Sequence, residues 1–239
     1  MDRQQRRDLK HDKFVDEIGS LSTRARENQR VLFTIAGAAV IIAVLAYGIY
    51  FYRSNREQKA QVALGAAIET MESPLLSAPA PGAQPVPGAK FKTEPERTAA
   101  AEKQFKDVEA SHGGTDAADV ASLYLARIAA DKGDVASART RLQKFVNDHP
   151  KHVLVAGARY SLYRLRIDGG EAPQVAQELQ AEIAKPDPSL PADSLLSLLA
   201  HAWDVQGNSQ KSKETNRRIV TEFPDSPYAI DAQRKMGPA

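Results

Sequence analysis

The hydrophobic pattern of the chain is dominated by residues 31–52, which contain no charged side chain. At 1.5 Å per residue, a helix over these residues is about 33 Å long and crosses a hydrocarbon core of about 30 Å. The apolar region of a cleaved signal peptide is shorter and ends in small residues. This stretch ends instead in Tyr50, Phe51 and Tyr52, aromatic residues that are typical of a membrane interface. We therefore predict an uncleaved transmembrane helix over residues 31–52.

Basic side chains are unevenly distributed around this helix. Residues 1–30 contain eight Lys and Arg side chains, whereas the 30 residues after the helix contain three. Cytoplasmic flanks of membrane helices are enriched in Lys and Arg. The distribution therefore predicts that residues 1–30 form a cytoplasmic basic head and that residues 53–239 lie outside the cytoplasm.

The pattern changes twice after the transmembrane helix. Residues 53–72 are expected to continue as a membrane-proximal helix, because apolar residues recur at near-helical spacing. These are Val62, Leu64, Ile68 and Met71. Residues 73–95 contain six prolines among Ala and Gly, and proline cannot donate the backbone hydrogen bond that a helix needs. We predict an extended insertion there, with a proline-recognition ligand as the alternative.

From residue 96 the chain has a helical pattern that repeats. Gly133, Gly170 and Gly207 are 37 residues apart in both intervals. The segments 132–150 and 206–224 both run from a Gly-containing turn through an amphipathic helix to a proline. A fixed period of this length, with two helices in each repeat, is typical of a helical solenoid. We therefore predict an all-α fold, in which one transmembrane helix precedes a solenoid over residues 96–224.

The repeated units resemble tetratricopeptide repeats. In units 119–150 and 193–224 the matching positions are a Leu–small pair, a turn glycine, a small residue in the second helix and a closing proline. They are Leu125, Ala126, Gly133, Ala138 and Pro150 in the first of these units, and Leu199, Ala200, Gly207, Ser212 and Pro224 in the other. The middle unit, 156–187, is degenerate, because Val175 replaces the small residue and three prolines interrupt the pattern. These are Pro173, Pro186 and Pro188.

Further helices are expected at both ends of the solenoid. An earlier unit would combine the 57–72 helix with a helix over 96–111, whose inward residues would be Ala101, Phe105 and Val108. In the C-terminal segment 225–239, Ser226 and Pro227 favour the N-cap and first residue of a capping helix over 227–236. Terminal repeats of solenoids need such caps.

The whole layout is similar to that of bacterial single-span tetratricopeptide proteins, typified by the YfgM-like ancillary subunits of the Sec translocon. This resemblance implies an inner-membrane protein with its C-terminal domain in the periplasm. It also implies a scaffold that links translocon subunits to periplasmic chaperones or a foldase. Two alternatives remain open, an envelope-assembly or cell-division coordinator and a regulator that signals through the cytoplasmic head.

Composition narrows the possible functions. The chain has 32 basic and 30 acidic residues, and the head accounts for the excess of positive charge, so a nucleic-acid partner is not expected. Cysteine is absent, which excludes disulfides and thiolate metal sites. The five histidines are scattered, and no HExxH, GxSxG or phosphate-loop motif occurs. We expect a non-enzyme without a cofactor or a metal, in which His149 and His152 lie in a surface loop.

A candidate partner-binding groove follows from the repeat register. When the three units are superimposed, one slot holds Arg127, Arg164 and His201, a second holds Leu123, Tyr160 and Ser197, and a third holds Asp131, Asp168 and Val205. In tetratricopeptide repeats these first-helix positions line the concave surface. We hypothesise a cationic column beside a Leu/Tyr patch that binds an extended peptide. The alternative is a solvated face with local Asp–Arg pairs. Trp203, Tyr124 and Tyr163 are expected to be packing residues.

Overall fold

The computed structural model describes residues 29–76 and 87–237, so most of the predicted head and the middle of the predicted insertion lie outside the described residues. The chain divides into two compact units at Arg56 and Glu57. Helix α1 spans Gln29–Glu72. Among the described residues, it contains the stretch that is long and apolar enough to cross a membrane, and none of that apolar stretch is buried within the protein.

The second unit consists of the remainder of α1 and eight further helices within the described residues. They are α2 (Glu94–Ser111), α3 (Asp116–Asp131), α4 (Val135–Asp148), α5 (Val155–Arg166), α6 (Ala172–Ile183), α7 (Ala192–Val205), α8 (Ser209–Glu222) and α9 (Ala229–Met236). Most helices pack chiefly on their neighbours in sequence, as expected of a solenoid. Apart from an isolated bridge between Leu75 and Phe91, the described residues contain no β-structure. The predicted all-α fold is confirmed.

The junction between α3 and α4 shows why a glycine recurs. Gly133 has a φ of 82°, in the left-handed region that disfavours a side chain. The Gly133 N–H donates to the Ala130 carbonyl at 2.9 Å, and the Asp134 N–H donates to the Ala129 carbonyl at 2.8 Å. These two bonds form a Schellman motif, which satisfies the last carbonyls of α3. The Asp134 carboxylate then accepts from the Ser137 N–H at 3.0 Å and caps α4.

The junction between α7 and α8 repeats this arrangement. Gly207 has a φ of 72° and donates to the Asp204 carbonyl at 2.9 Å. The Asn208 N–H donates to the Trp203 carbonyl at 2.9 Å, and its side-chain oxygen accepts from the Lys211 N–H at 3.1 Å. The Gly–Asp and Gly–Asn pairs thus end one helix and begin the next with local bonds alone.

The middle junction differs from the other two. Residues Ile167–Glu171 form a π-helical turn, in which Gly170 has a φ of 95°. Arg166 holds this turn, because its guanidinium pairs with Glu171 at 2.8 Å and in a bidentate manner with Glu178 at 2.6 and 2.7 Å. The degenerate middle unit therefore keeps a helical hairpin but reaches it through a different turn.

Two prolines, one assigned to the extended insertion and one taken to break the repeat pattern, lie at the starts of helices. Pro95, assigned to the insertion, lies in the first turn of α2, which begins at Glu94. Pro173, taken as an interruption, lies in the first turn of α6. The first turn has no internal acceptor for its N–H groups, so proline loses no hydrogen bond there. Both expectations are corrected.

The connection between α6 and α7 contains the other two prolines of the middle unit. Glu182, which is buried, lies at the end of α6 and forms an ion pair with Lys185. It also accepts from the Ser189 N–H at 2.6 Å. Glu182 therefore ties the end of α6 to the connection that leads to α7.

The core lies between successive helices. The predicted inward residues of α2, Ala101, Phe105 and Val108, are all buried, and Phe105 stacks on Tyr124 with ring centroids 4.7 Å apart. Trp203 is 9% exposed in a cluster with residues of α6 and α7, so its predicted packing role is confirmed. Val62 departs from the predicted apolar stripe of α1, because it is 76% exposed. Leu64 of that stripe is buried as predicted, and Ala60 and Ala67 complete the buried side of this helix segment.

The capping helix starts later than predicted. Helix α9 begins at Ala229 and not at residue 227, and its N-cap residue is Tyr228. The Ser226 hydroxyl accepts from the Tyr228 N–H at 3.1 Å and donates to the Asp193 carboxylate of α7 at 2.7 Å. Ser226 is therefore engaged in a turn and in a contact with α7, and it does not cap the helix.

Candidate functional site: a groove between α3 and α5

A groove of about 680 Å³ lies between α3 and α5. Its floor is apolar and includes Ala126, Leu142 and Ala158, which are buried between the helices. Apolar residues also form much of the walls, including Val120, Leu123, Leu154 and Leu165. Such a concave, mostly apolar surface with a few polar groups is typical of a binding site.

The structure brings five of the seven predicted site residues to this groove. Leu123 and Arg127 come from α3, Tyr160 and Arg164 come from α5, and Asp168 comes from the π-helical turn. They meet because residues 37 positions apart occupy equivalent places on helices that pack side by side. The repeat register therefore placed these side chains correctly, while their binding role stays a prediction.

The two groove arginines are only loosely paired. The Arg127 guanidinium lies 3.9 Å from Asp131, and the Arg164 guanidinium lies 4.0 Å from Asp168. The Arg127 side chain is 71% exposed and that of Arg164 is 50% exposed. Exposed pairs within one helix stabilise a protein by only about 0.2–1 kcal/mol. A carboxylate from a partner can therefore displace either pair at small cost.

The remaining two predicted residues do not line the groove. Asp131 lies in a neighbouring cleft of about 760 Å³, formed by the end of α1, the start of α2 and α3. This cleft shares Tyr124 and Arg127 with the groove, and its other polar residues are mostly charged. His201, on α7, donates from Nε2 to the Asp168 carboxylate at 2.6 Å. The third member of the cationic column is therefore engaged with Asp168.

One residue beside the groove was missed by the sequence analysis. Tyr228, which precedes α9, stacks on Tyr160 with ring centroids 6.0 Å apart and an interplanar angle of 19°. Partial burial raises the pKa of the Tyr228 hydroxyl, so this side chain stays neutral. The repeat spacing could have identified Tyr228. Leu154, Pro191 and Tyr228 follow one another at intervals of 37 residues, and Leu154 also lines the groove.

The two neighbouring histidines lie away from the groove. His149 follows the last residue of α4 and lies 3.3 Å from the Asp119 carboxylate of α3. Both His149 and His152 contact the Phe145 ring. His152 Nδ1 accepts from the Leu154 N–H at 3.1 Å. Across residues 29–76 and 87–237, no group of three or more His, Asp or Glu side chains has a metal-binding arrangement.

The match to a protein-family sequence model supports the repeat architecture. The sequence model of the tetratricopeptide repeat-like domain family matches residues 29–187. Two solved structures of the TPR-like repeats of a putative kinesin light chain from Podosopora anserina are similar to this chain, at 19% and 18% identity. Each match covers 60% of this chain and 77% of the other, with a TM-score of 0.44. No curated protein matches this chain.

Proposed function

Since the chain belongs to the tetratricopeptide repeat-like domain family, we propose that it is a membrane-anchored scaffold whose groove between α3 and α5 binds an extended segment of a partner protein. Repeats of this kind form extended concave binding surfaces. The observation that carries the proposal is the apolar groove with two loosely paired arginines, Arg127 and Arg164, at its rim.

The chemistry of the groove indicates the kind of segment that it binds. Burial of an apolar side chain on the floor supplies most of the affinity, at about 25 cal/mol per Å² of apolar surface removed from water. The two guanidinium groups supply orientation, because arginine binds a carboxylate through two parallel hydrogen bonds. A partner segment with an apolar residue and a nearby carboxylate satisfies both parts of the groove.

The proposed setting is the bacterial inner membrane, with residues 1–30 in the cytoplasm and the repeats in the periplasm. Two observations support it, the exposed apolar surface of α1 and the excess of basic residues before the apolar stretch. The resemblance of the whole layout to YfgM-like proteins favours Sec translocon subunits and a periplasmic foldase as partners. In this role the groove holds a partner beside the translocon and catalyses no reaction.

Crosslinking mass spectrometry in native membranes tests this function. The wild-type chain is expected to capture translocon subunits or a periplasmic foldase, and the double variant Arg127→Ala/Arg164→Ala is expected to lose most of the foldase or client capture. The matched control is Lys213→Ala/Arg217→Ala, which removes two exposed cations from α8, outside the groove. An unchanged set of partners in the groove variant refutes the binding role. Capture of cell-wall or division proteins alone supports the envelope-assembly alternative.

A further inference from the structure

We infer that Tyr228 closes the groove on its α7 side and confines a bound segment to the space between α3 and α5. This inference rests on the proposed binding function of the groove. The closure determines which partner segments fit the groove. A groove that is closed at one end accepts a short segment, or a segment that turns outward at Tyr160. A groove that continues along all first helices of the solenoid accepts a longer extended chain.

The residues of α7 explain why a separate side chain is needed to close the groove. In the slot that holds Leu123 in α3 and Tyr160 in α5, α7 holds the smaller Ser197. In the slot that holds Val120 and Gly157, α7 holds Ser194. These two serines build no apolar wall of their own. Tyr228 supplies that wall from the next segment of the chain, since its ring stacks on Tyr160 and its hydroxyl lies 3.5 Å from Ser194 Oγ.

Tyr228 is held in place by several contacts. Its N–H donates to the Ser226 hydroxyl at 3.1 Å, and that hydroxyl donates to the Asp193 carboxylate of α7 at 2.7 Å. Its ring also packs against a buried cluster that contains Leu196, Ile219 and Ala232. An aromatic side chain that is fixed at its backbone and packed on its ring is a preorganised wall, and it is a poor candidate for a mobile lid.

The polar side of the site ends at the same helix. His201 is the α7 member of the cationic column, and it is hydrogen-bonded to Asp168 at 2.6 Å. Arg127 and Arg164 are therefore the two members of the column that remain loosely paired. The apolar wall and the available cations both place the end of the binding site between α5 and α7.

Cysteine accessibility tests the closure without any partner. The chain has no cysteine, so Ser194→Cys and Ser161→Cys each introduce a single thiol into the full-length protein in detergent micelles. Ser194 lies next to Tyr228, whereas Ser161 is exposed and lines the groove. With fluorescein-5-maleimide as the bulky probe, the thiol introduced at residue 194 is expected to react slowly. Addition of Tyr228→Ala should accelerate that reaction about tenfold, because the loss of one aromatic pair is equivalent to about that factor. The reaction of the Ser161→Cys protein should be unchanged by Tyr228→Ala.

Two further variants separate closure from loss of folding. Tyr228→Phe keeps the ring and should leave the thiol at residue 194 slow. Tyr228→Leu introduces leucine, the residue found at the equivalent repeat position, Leu154. The thiol at residue 194 should then react at an intermediate rate. This variant keeps the test valid if the alanine variant unfolds. The fluorescence of Trp203, which is buried in α7, reports whether each variant is folded.

The two thiol positions also define the results that overturn the inference. It is wrong if, with Tyr228 present, the thiol at residue 194 reacts as fast as the thiol at residue 161. It is equally wrong if neither Tyr228→Ala nor Tyr228→Leu accelerates the reaction at residue 194. Because no partner takes part, this result is independent of whether crosslinking captures one.

Discussion

Replacement of Gly207 by alanine offers the sharpest test of the repeat junctions. Gly207 has a φ of 72°, and a Cβ atom built at this residue meets no other atom within 4 Å. The cost of Gly207→Ala is therefore a pure backbone cost. The left-handed conformation is less favourable for an L-residue by about 1–2 kcal/mol. We expect the free energy of unfolding to fall by about that amount.

The same substitution at Gly157 should act in the opposite direction. Gly157 lies in α5 with an ordinary helical φ, and a Cβ atom there also meets nothing within 4 Å. Alanine is favoured over glycine in a helix by about 0.5–1 kcal/mol. Gly157→Ala is therefore expected to raise the free energy of unfolding, although it adds the same methyl group.

Urea denaturation of the full-length chain in micelles, followed by the fluorescence of Trp203, measures both effects. Trp203 is the only tryptophan, and its side chain is buried in the cluster between α6 and α7, so its signal reports the unfolding of this part of the solenoid. The urea midpoint should fall for Gly207→Ala and rise for Gly157→Ala. A Gly207→Ala protein at least as stable as wild type would refute the backbone explanation of the 37-residue spacing.

Two other predictions concern the repeat domain. Hydrogen bonds from Lys185 and the Ser189 N–H lower the pKa of the Glu182 carboxyl from 4.5 to about 2. The ionised carboxylate therefore stabilises the folded state fully above the pKa of the unfolded chain, and this stabilisation is lost as the pH falls towards 2. The urea midpoint of wild type should therefore fall more steeply than that of Glu182→Gln between about pH 5 and 3, and parallel curves would contradict this. Phe105→Ala removes a fully buried ring and should lower the free energy of unfolding by about 3–5 kcal/mol. Val62→Ala, at an exposed position, should change it by less than about 0.5 kcal/mol, and circular dichroism in urea distinguishes the two.

The features that were predicted correctly are those that local chemistry determines. Gly133 and Gly207 mark the regular junctions because a left-handed residue ends each helix, and glycine adopts that conformation at least cost. The repeat spacing then places Leu123, Arg127, Tyr160 and other groove residues, since equivalent positions of packed helices face the same side. These predictions needed only the 37-residue repeat spacing, and they did not depend on contacts between distant parts of the chain.

The features that were missed depend on contacts between distant residues. Ser226 has the residue type of an N-cap, but a bond to Asp193, 33 residues earlier, favours a turn, and α9 begins at Ala229. The π-helical turn at Ile167–Glu171 relies on Arg166 pairing with Glu178. Tyr228 lies next to Tyr160 only once the helices between them in sequence have folded. Local propensity does not contain this information.

The self-contained hydrogen bonding of the two regular junctions has a consequence for how such a chain can change in length. At Gly133–Asp134 and at Gly207–Asn208, the end of one helix and the start of the next are satisfied by residues within a few positions of each other. Duplication of one 37-residue segment therefore carries its own junction with it and demands no new bonding partner elsewhere. Gene duplication can extend the solenoid, whereas the proposed end of the binding surface depends on one contact, between Tyr228 and Tyr160.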